Sequence, residues 1–288
     1  MKFYYFGGSF NAGDKENLET APVLEKHNFD GVMFTYDSTQ GDMFVRTARK
    51  IELGKKIKYL IAIRPYTISP QYLQTIHNSM DEIDKDRLQF NFVSGYIKDH
   101  EEDTGGIVGN LVDSSDPVSK SKYMIEFIRV LNNMKINRTP LDFYISTTNN
   151  YMFEEAKKYN NKIILPYNIY KRGYWLESYE GTSSMIELNI KNTEIMLALT
   201  PIIRKTEKEL ESLKNYALRP IWKKEEKSTV VDDVEYFTYE GFSEFVETLE
   251  QKGIKHLLIN AVPRDEVHII VKFIKQYVES KQIKNEEE

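Results

Sequence analysis

YLIAIRPYTISPQYLQTIHNSMDEIDKDRLQFNFVSGY, residues 59–96, decides the fold. Residues 59–63 are an unbroken apolar run, the pattern of a strand buried on both faces. A short loop, 64–69, follows. Residues 70–83 carry apolar side chains at helical spacing, opened by Ser69-Pro70, and 88–94 form a second buried strand. That is one β-loop-α-β unit of a parallel sheet. The loops after its strands, Arg64-Pro65-Tyr66 and Ser94-Gly95-Tyr96, fall on the same side of the sheet, the side that carries the ligand in parallel α/β proteins.

The same alternation runs outward in both directions. Strands are expected at 2–6, 31–35, 141–145, 162–165, 195–199 and 255–260. Helices are expected at 18–27, 43–53, 118–134, 149–159, 207–216, 242–251 and 266–277. Eight strands mostly separated by helices argue for an α/β chain forming a single (β/α)8 TIM barrel over 1–279; an open doubly wound sheet is the rival. Residues 98–117, acidic and without periodicity, read as a long loop after strand 4 and a candidate lid. Residues 171–192 should hold the sixth helix, anchored by Trp175, Met185 and Leu188. Residues 222–235 read as a charged excursion after strand 7, and 280–288 as a charged tail that frays.

Bulk properties exclude several classes. The chain has 288 residues, 41% of them apolar, enough for one large core. A net charge of −5 provides no global attraction to nucleic acid or to an anionic membrane. No apolar run reaches spanning length, and MKFYYFGGSF lacks the layout of a signal peptide, so a cytoplasmic location is expected. With no cysteine, thiolate metal sites and a cysteine nucleophile are ruled out. The five histidines do not cluster at ligand spacing, and no metal is expected.

In a barrel the chemistry sits just past the strand C-termini. Those positions hold Ser9, Tyr36, Asp37, Arg64, Tyr66, Ser94, Gly95, Tyr96, Ser146, Thr147, Thr148, Tyr167, Thr200 and Asn260, with Asn91 inside strand 4. The ring is rich in aromatic and hydroxyl groups. It lacks the paired carboxylates of a glycosidase and the histidines of a metal hydrolase. A large, flat, amphipathic ligand suits it better. Ser146-Thr147-Thr148 before a helix reads either as a phosphate cradle or as an ordinary N-cap. Arg64 either neutralises an anionic ligand or pairs with a rim carboxylate such as Asp37 or Asp99. Asn91 reaches either a ligand edge or a neighbouring strand. Ser9, Tyr36, Asp37, Tyr96 and Tyr167 are the candidates for handling a proton.

The order of residues in 59–96 resembles the bacterial-luciferase-like flavin monooxygenases, and within them the alkanesulfonate monooxygenase branch. The likeness rests on Arg64, Pro65, Ser69, Pro70, Asp81, Arg87, Asn91, Val93, Ser94 and Gly95. It implies a two-component enzyme that uses reduced FMN and O2, through a flavin peroxide, on a small organic substrate. It also implies a separate flavin reductase and a homodimer. Arg64, Tyr66, Asn91, Ser94, Gly95, Ser146, Thr147 and Thr148 are the expected cofactor contacts. Gln40, Thr200, Asn260 and Arg264 are the expected substrate contacts. Deazaflavin (F420) oxidoreductases share this barrel, so F420 is the alternative cofactor.

The likeness fails on the substrate side. The branch's histidine, cysteine, basic–histidine pair and tyrosine–histidine pair fall near Ser9, Gln40, Ala198 with Thr200, and Val262 with Arg264. Its Arg-Tyr before the fourth helix appears as Lys120-Ser121. A different substrate, or a flavin-binding barrel without catalysis, fits these changes.

Overall fold

The computed structural model describes residues 1–7, 22–35, 42–93, 117–134, 140–147, 150–159, 162–177, 184–187, 192–216, 234–261 and 266–287. Eight parallel strands close on themselves: β1 (Lys2–Phe6), β2 (Gly31–Phe34), β3 (Lys58–Ile63), β4 (Leu88–Val93), β5 (Phe143–Ser146), β6 (Lys162–Pro166), β9 (Glu194–Arg204) and β11 (His256–Ile259). Closure is made by β9, which pairs with β6 on one side and β11 on the other. Following the residue partners once round from Tyr4 returns to β1 displaced by about eight residues, the stagger of a (β/α)8 barrel. The closed barrel displaces the open-sheet rival.

Helices α1 (Met43–Ile51), α2 (Pro70–Ile83), α3 (Pro117–Asn133), α4 (Asn150–Lys157), α5 (Tyr167–Arg172), α6 (Glu207–Tyr216), α7 (Tyr239–Gln251) and α8 (Val267–Glu287) follow the strands. Local chemistry starts them. Asp42 accepts from the Phe44 and Val45 amides at 2.9 Å, and Ser69 accepts from Tyr72 N ahead of Pro70. Arg87 staples the entry to β3: it donates to Ile57 O at 2.7 Å and Gly54 O at 3.0 Å, with Asp84 beside it.

Each strand is buried on both faces, which is why its sequence reads as a continuous apolar run. Outward residues such as Phe3, Val32, Ile61 and Phe90 join the helices in one large cluster. Inward residues form a second, separate cluster: Tyr4, Met33, Leu60, Tyr144, Ile164, Met196 and Leu258.

Three expectations change. The stretch 171–192 does not continue as a sixth helix. α5 is only one and a half turns long, because Gly173 ends it in the left-handed region at φ +70°. An antiparallel hairpin follows, β7 (Tyr174–Glu177) with β8 (Ser184–Glu187), and Trp175 and Met185 lie on its strands. Strand 7 is longer than expected. β9 runs past the barrel to Arg204, where β10 (Val234–Thr238) pairs along Thr200–Arg204; β10 includes the end of the stretch read as an excursion. α8 continues through residues 280–287, where fraying was expected. Lys281 is tied to Glu247 of α7 at 2.8 Å, and Lys275 to Glu279 at 3.8 Å. The candidate lid, 98–117, lies outside the described residues apart from Pro117, which opens α3. Among the described residues no helix is long and apolar enough to cross a membrane.

Two measurements check this packing. A Cβ at Gly31 would lie 2.3 Å from the Tyr4 ring and 3.1 Å from Lys58 O, and Tyr4 is held by its hydroxyl bond to Gln89 at 3.0 Å. Gly31→Ala should therefore cost about 1–3 kcal/mol in urea unfolding. Burial also holds His77 and His256 below the ordinary imidazole value of 6.5, despite Asp81 beside the first and Glu194 beside the second. The unfolded chain then binds more protons as pH falls through 6.5. The contribution of these residues to stability is complete above that pH and is lost on acidification. The urea midpoint should fall between pH 7 and pH 5, and His77→Gln with His256→Gln should flatten the fall.

Candidate active site

The C-terminal ends of the strands gather the residues that the sequence singles out. Arg64 leaves β3 as a buried residue, 8% exposed. Its carbonyl accepts from Thr67 N at 3.0 Å and Thr67 Oγ1 at 2.8 Å, which bends 65–67 into a single 3-10 turn. Pro65 presets the first residue of that turn, and Tyr66 on it is buried. α3 packs on this turn.

Asn91 points into the barrel from β4. Its Oδ1 accepts from Ser146 Oγ on β5 at 2.9 Å, and its Nδ2 reaches Met33 Sδ at 3.6 Å. Asn91 thus bonds a neighbouring strand through its Oδ1. Ser146 is the last residue of β5 and not a helix cap, because it pairs with Val93 and Ile164 and alternation turns its hydroxyl inward. Thr147, buried, leads on toward α4. Across the barrel, Asn260 Nδ2 meets Thr200 Oγ1 at 3.5 Å, and Asn260 N donates to Leu199 O at 2.8 Å. Two of the four expected substrate contacts thus sit side by side, one on β9 and one just after β11.

Tyr167 is placed differently. It opens α5, and its ring packs edge-on against Phe245 of α7 at 5.2 Å, beside Tyr170 at 6.3 Å. It belongs to the outer aromatic layer. Burial, with Glu235 adding to it, pushes its phenol up, so near neutral pH it stays protonated. Ser9, Tyr36, Asp37, Gln40, Ser94, Gly95, Tyr96, Thr148 and Arg264 lie outside the described residues.

The structure adds Lys120. It lies in the first turn of α3, at the same end of the barrel as Arg64, with 6% exposure, and Ser121 beside it is equally buried. Among the described residues the buried lysines and arginines are Lys50, Arg64, Arg87 and Lys120. Lys50 lies in the last turn of α1 over the Phe34 ring, and Arg87 lies just before β4, both at the opposite end. A lysine in the first turn of a helix opposes the helix dipole, a signal of Lys120 that sequence contains beside its place where the sulfonate branch has Arg-Tyr.

The wall beyond the barrel is braced by charge. Arg204, at the end of β9, grips Glu266 with two bonds of 2.7 Å, and Glu266 leads into α8. Below the mouth the inner cluster supplies an apolar floor, with Phe6 and Ala198 packed against it. The arrangement is an apolar floor, neutral hydrogen-bonding groups above it and buried cations at one side. It has the chemistry to hold a flat ring by its faces and edge and an anionic tail by charge.

No known family model matches the chain. Solved structures share its fold. The chain is similar to EDTA monooxygenase from Chelativorans sp. BNC1, with TM-score 0.66 and 11% identity over 98% of this chain and 94% of that one. It is similar to the oxygenating constituent of 3,6-diketocamphane monooxygenase from Pseudomonas putida, in complex with FMN, with TM-score 0.60 and 12% identity over 96% of each. It is also similar to an F420-dependent secondary alcohol dehydrogenase, with TM-score 0.61 and 13% identity over 96% of this chain and 97% of that one. At these identities the likeness concerns the fold, a luciferase-like (β/α)8 barrel.

The brace is testable. Glu266→Ala leaves Arg204 without its carboxylate in a partly buried setting. Unfolding free energy should drop by about 2–4 kcal/mol, and Glu266→Gln should lose less because it keeps one hydrogen bond.

Proposed function

We propose that this barrel is a flavin-dependent oxidoreductase, and within that class a monooxygenase using reduced FMN and O2 on a small organic substrate. The observation that carries the reading is the grouping of Arg64 and Lys120, both buried, at the end of the barrel that also holds Asn91, Ser146 and Thr147 above an apolar floor. The cofactor, when bound, supplies the oxygen chemistry. Arg64, with Lys120, holds its phosphate. Asn91 and Ser146, oriented by their mutual hydrogen bond, address the ring edge. Met33, Ile164 and Met196 keep water from its lower face. Thr200 and Asn260 orient the substrate by hydrogen bonds without adding charge. A separate flavin reductase supplies the electrons, because the sequence has no G-x-G-x-x-G nicotinamide fingerprint. The proposed assembly is a homodimer.

A second reading rests on Ala198 and Thr200. Where the sulfonate branch has a basic residue and histidine, Ala198 packs on the inner apolar cluster and Thr200 is buried against Asn260. That suits either an uncharged substrate, a hydride-transferring F420 enzyme or a flavin-binding barrel without catalysis.

Titration of the full chain with FMN, followed by flavin fluorescence, tests the proposal. Saturable binding is expected. Arg64→Met should weaken FMN at least tenfold and leave riboflavin, which lacks the phosphate, nearly unchanged. Equal loss of both ligands would assign Arg64 a purely structural role. No saturable binding of FMN or F420 would sink the reading, and preferential binding of F420 would move the chain to the deazaflavin class.

A further inference from the structure

The opposite, N-terminal end of the barrel opens into a cavity of about 480 Å³. Tyr4, Tyr144 and His256 line it together with Lys2, Lys58 and Lys255. This end of a barrel is usually concerned with stability alone, and part of the lining fits that role. Tyr4 OH donates to Gln89 Oε1 at 3.0 Å, and Gln89 Nε2 donates to Asp142 Oδ2 at 2.6 Å. Lys162 Nζ donates to Asp142 Oδ1 at 2.8 Å. Tyr144 OH donates to Glu194 Oε1 at 3.1 Å and lies 2.9 Å from His256 Nδ1. Both carboxylates of the lining are therefore engaged from within. Burial alone would raise Asp142, but the bonds from Lys162 and Gln89 prevail and hold it below its ordinary value.

The lysines have no such return. Lys162 is consumed by Asp142, with Glu194 at 3.9 Å. Among the described residues, Lys2, Lys58 and Lys255 make no ion pair, although Lys2 is near enough to Asp30 to favour its charged form. Their charge is felt inside: Lys58 helps lower Asp142, and Lys2 helps lower His256. Four lysines thus face two carboxylates around one cavity, and buried His256 favours its neutral form. Like charges held round a concave surface repel, and a network built only for stability would not collect them. Among the described residues no three His, Asp or Glu side chains are grouped to hold a metal ion.

We propose that this cavity is a second binding site, for a small polyvalent anion of the phosphate class. Ammonium groups on flexible stems bind phosphate oxygens as point charges, and Lys2, Lys58 and Lys255 are the groups available. The volume corresponds to roughly fifteen water molecules, more than a single orthophosphate fills. The site therefore suits a molecule bearing a diphosphate or a phosphate on an organic body. The inner apolar cluster, which shares Tyr4 and Tyr144 with the lining, lies between it and the mouth at the other end, so the site is tested without flavin.

Inorganic pyrophosphate is the probe, titrated into the full chain without flavin at low ionic strength, by calorimetry and by the ring resonances of the histidines. Saturable, salt-sensitive binding that shifts His256, with at least tenfold weakening in the Lys2→Met/Lys58→Met variant, is the expected result. Both lysines are at least partly exposed, and the His256 shift in the unsubstituted protein gives a second readout should the variant unfold. Absence of saturable binding overturns the proposal. So does binding that leaves His256 unmoved or that the double variant retains in full, since either places the anion elsewhere.

Discussion

The structure depends on one pairing constraint: β9 hydrogen-bonds to β6 and β11 at once. Without it the sheet would have two open edges and one long crevice. With it, every strand has an inside and an outside. Alternation then sorts side chains without further instruction: Phe3, Ile61 and Phe90 go out to the helices, and Tyr4, Leu60 and Met196 go in. Closure also creates two ends with opposite chemistry, separated by the inner cluster.

The two ends differ because strand polarity differs. Residues following the strands are free to be loops and helix starts, so Arg64, Thr147 and Lys120 come from irregular chain or first helical turns. Residues opening the strands are fixed by the ladder, so Lys2, Lys58, Lys162, Glu194 and His256 project from regular backbone. The first arrangement suits a site whose groups must adapt to a ligand. The second gives a rigid polar rim in which only the lysine stems are flexible.

Much of this was legible in residues 59–96, because a strand buried on both faces, an N-cap followed by proline and a second strand leave one local solution. The strand count was legible for the same reason. The hairpin after α5 was not: a four-residue strand carries less periodic signal than a helix, and the stop at Gly173 shows only through its positive φ. The length of β9 was hidden because its second half pairs with β10, a long-range contact with no local mark. Among site residues, Thr200 with Asn260 and Asn91 with Ser146 were brought together as strand-end logic requires. Tyr167 stands apart from them, because position after a strand does not say which way a ring turns, and its ring packs on Phe245 of α7. Lys120 escaped the list of candidates because a lysine in a helix is ordinarily a solvated one.

The most direct test of a flavin site at the strand C-termini is amide hydrogen exchange with and without FMN. Protection should appear in the turn after Arg64 and at Ser146 and Thr147, leaving Lys2, Lys58 and His256 at the other end unchanged. Protection confined to the N-terminal end, or none at saturating FMN, would contradict that placement.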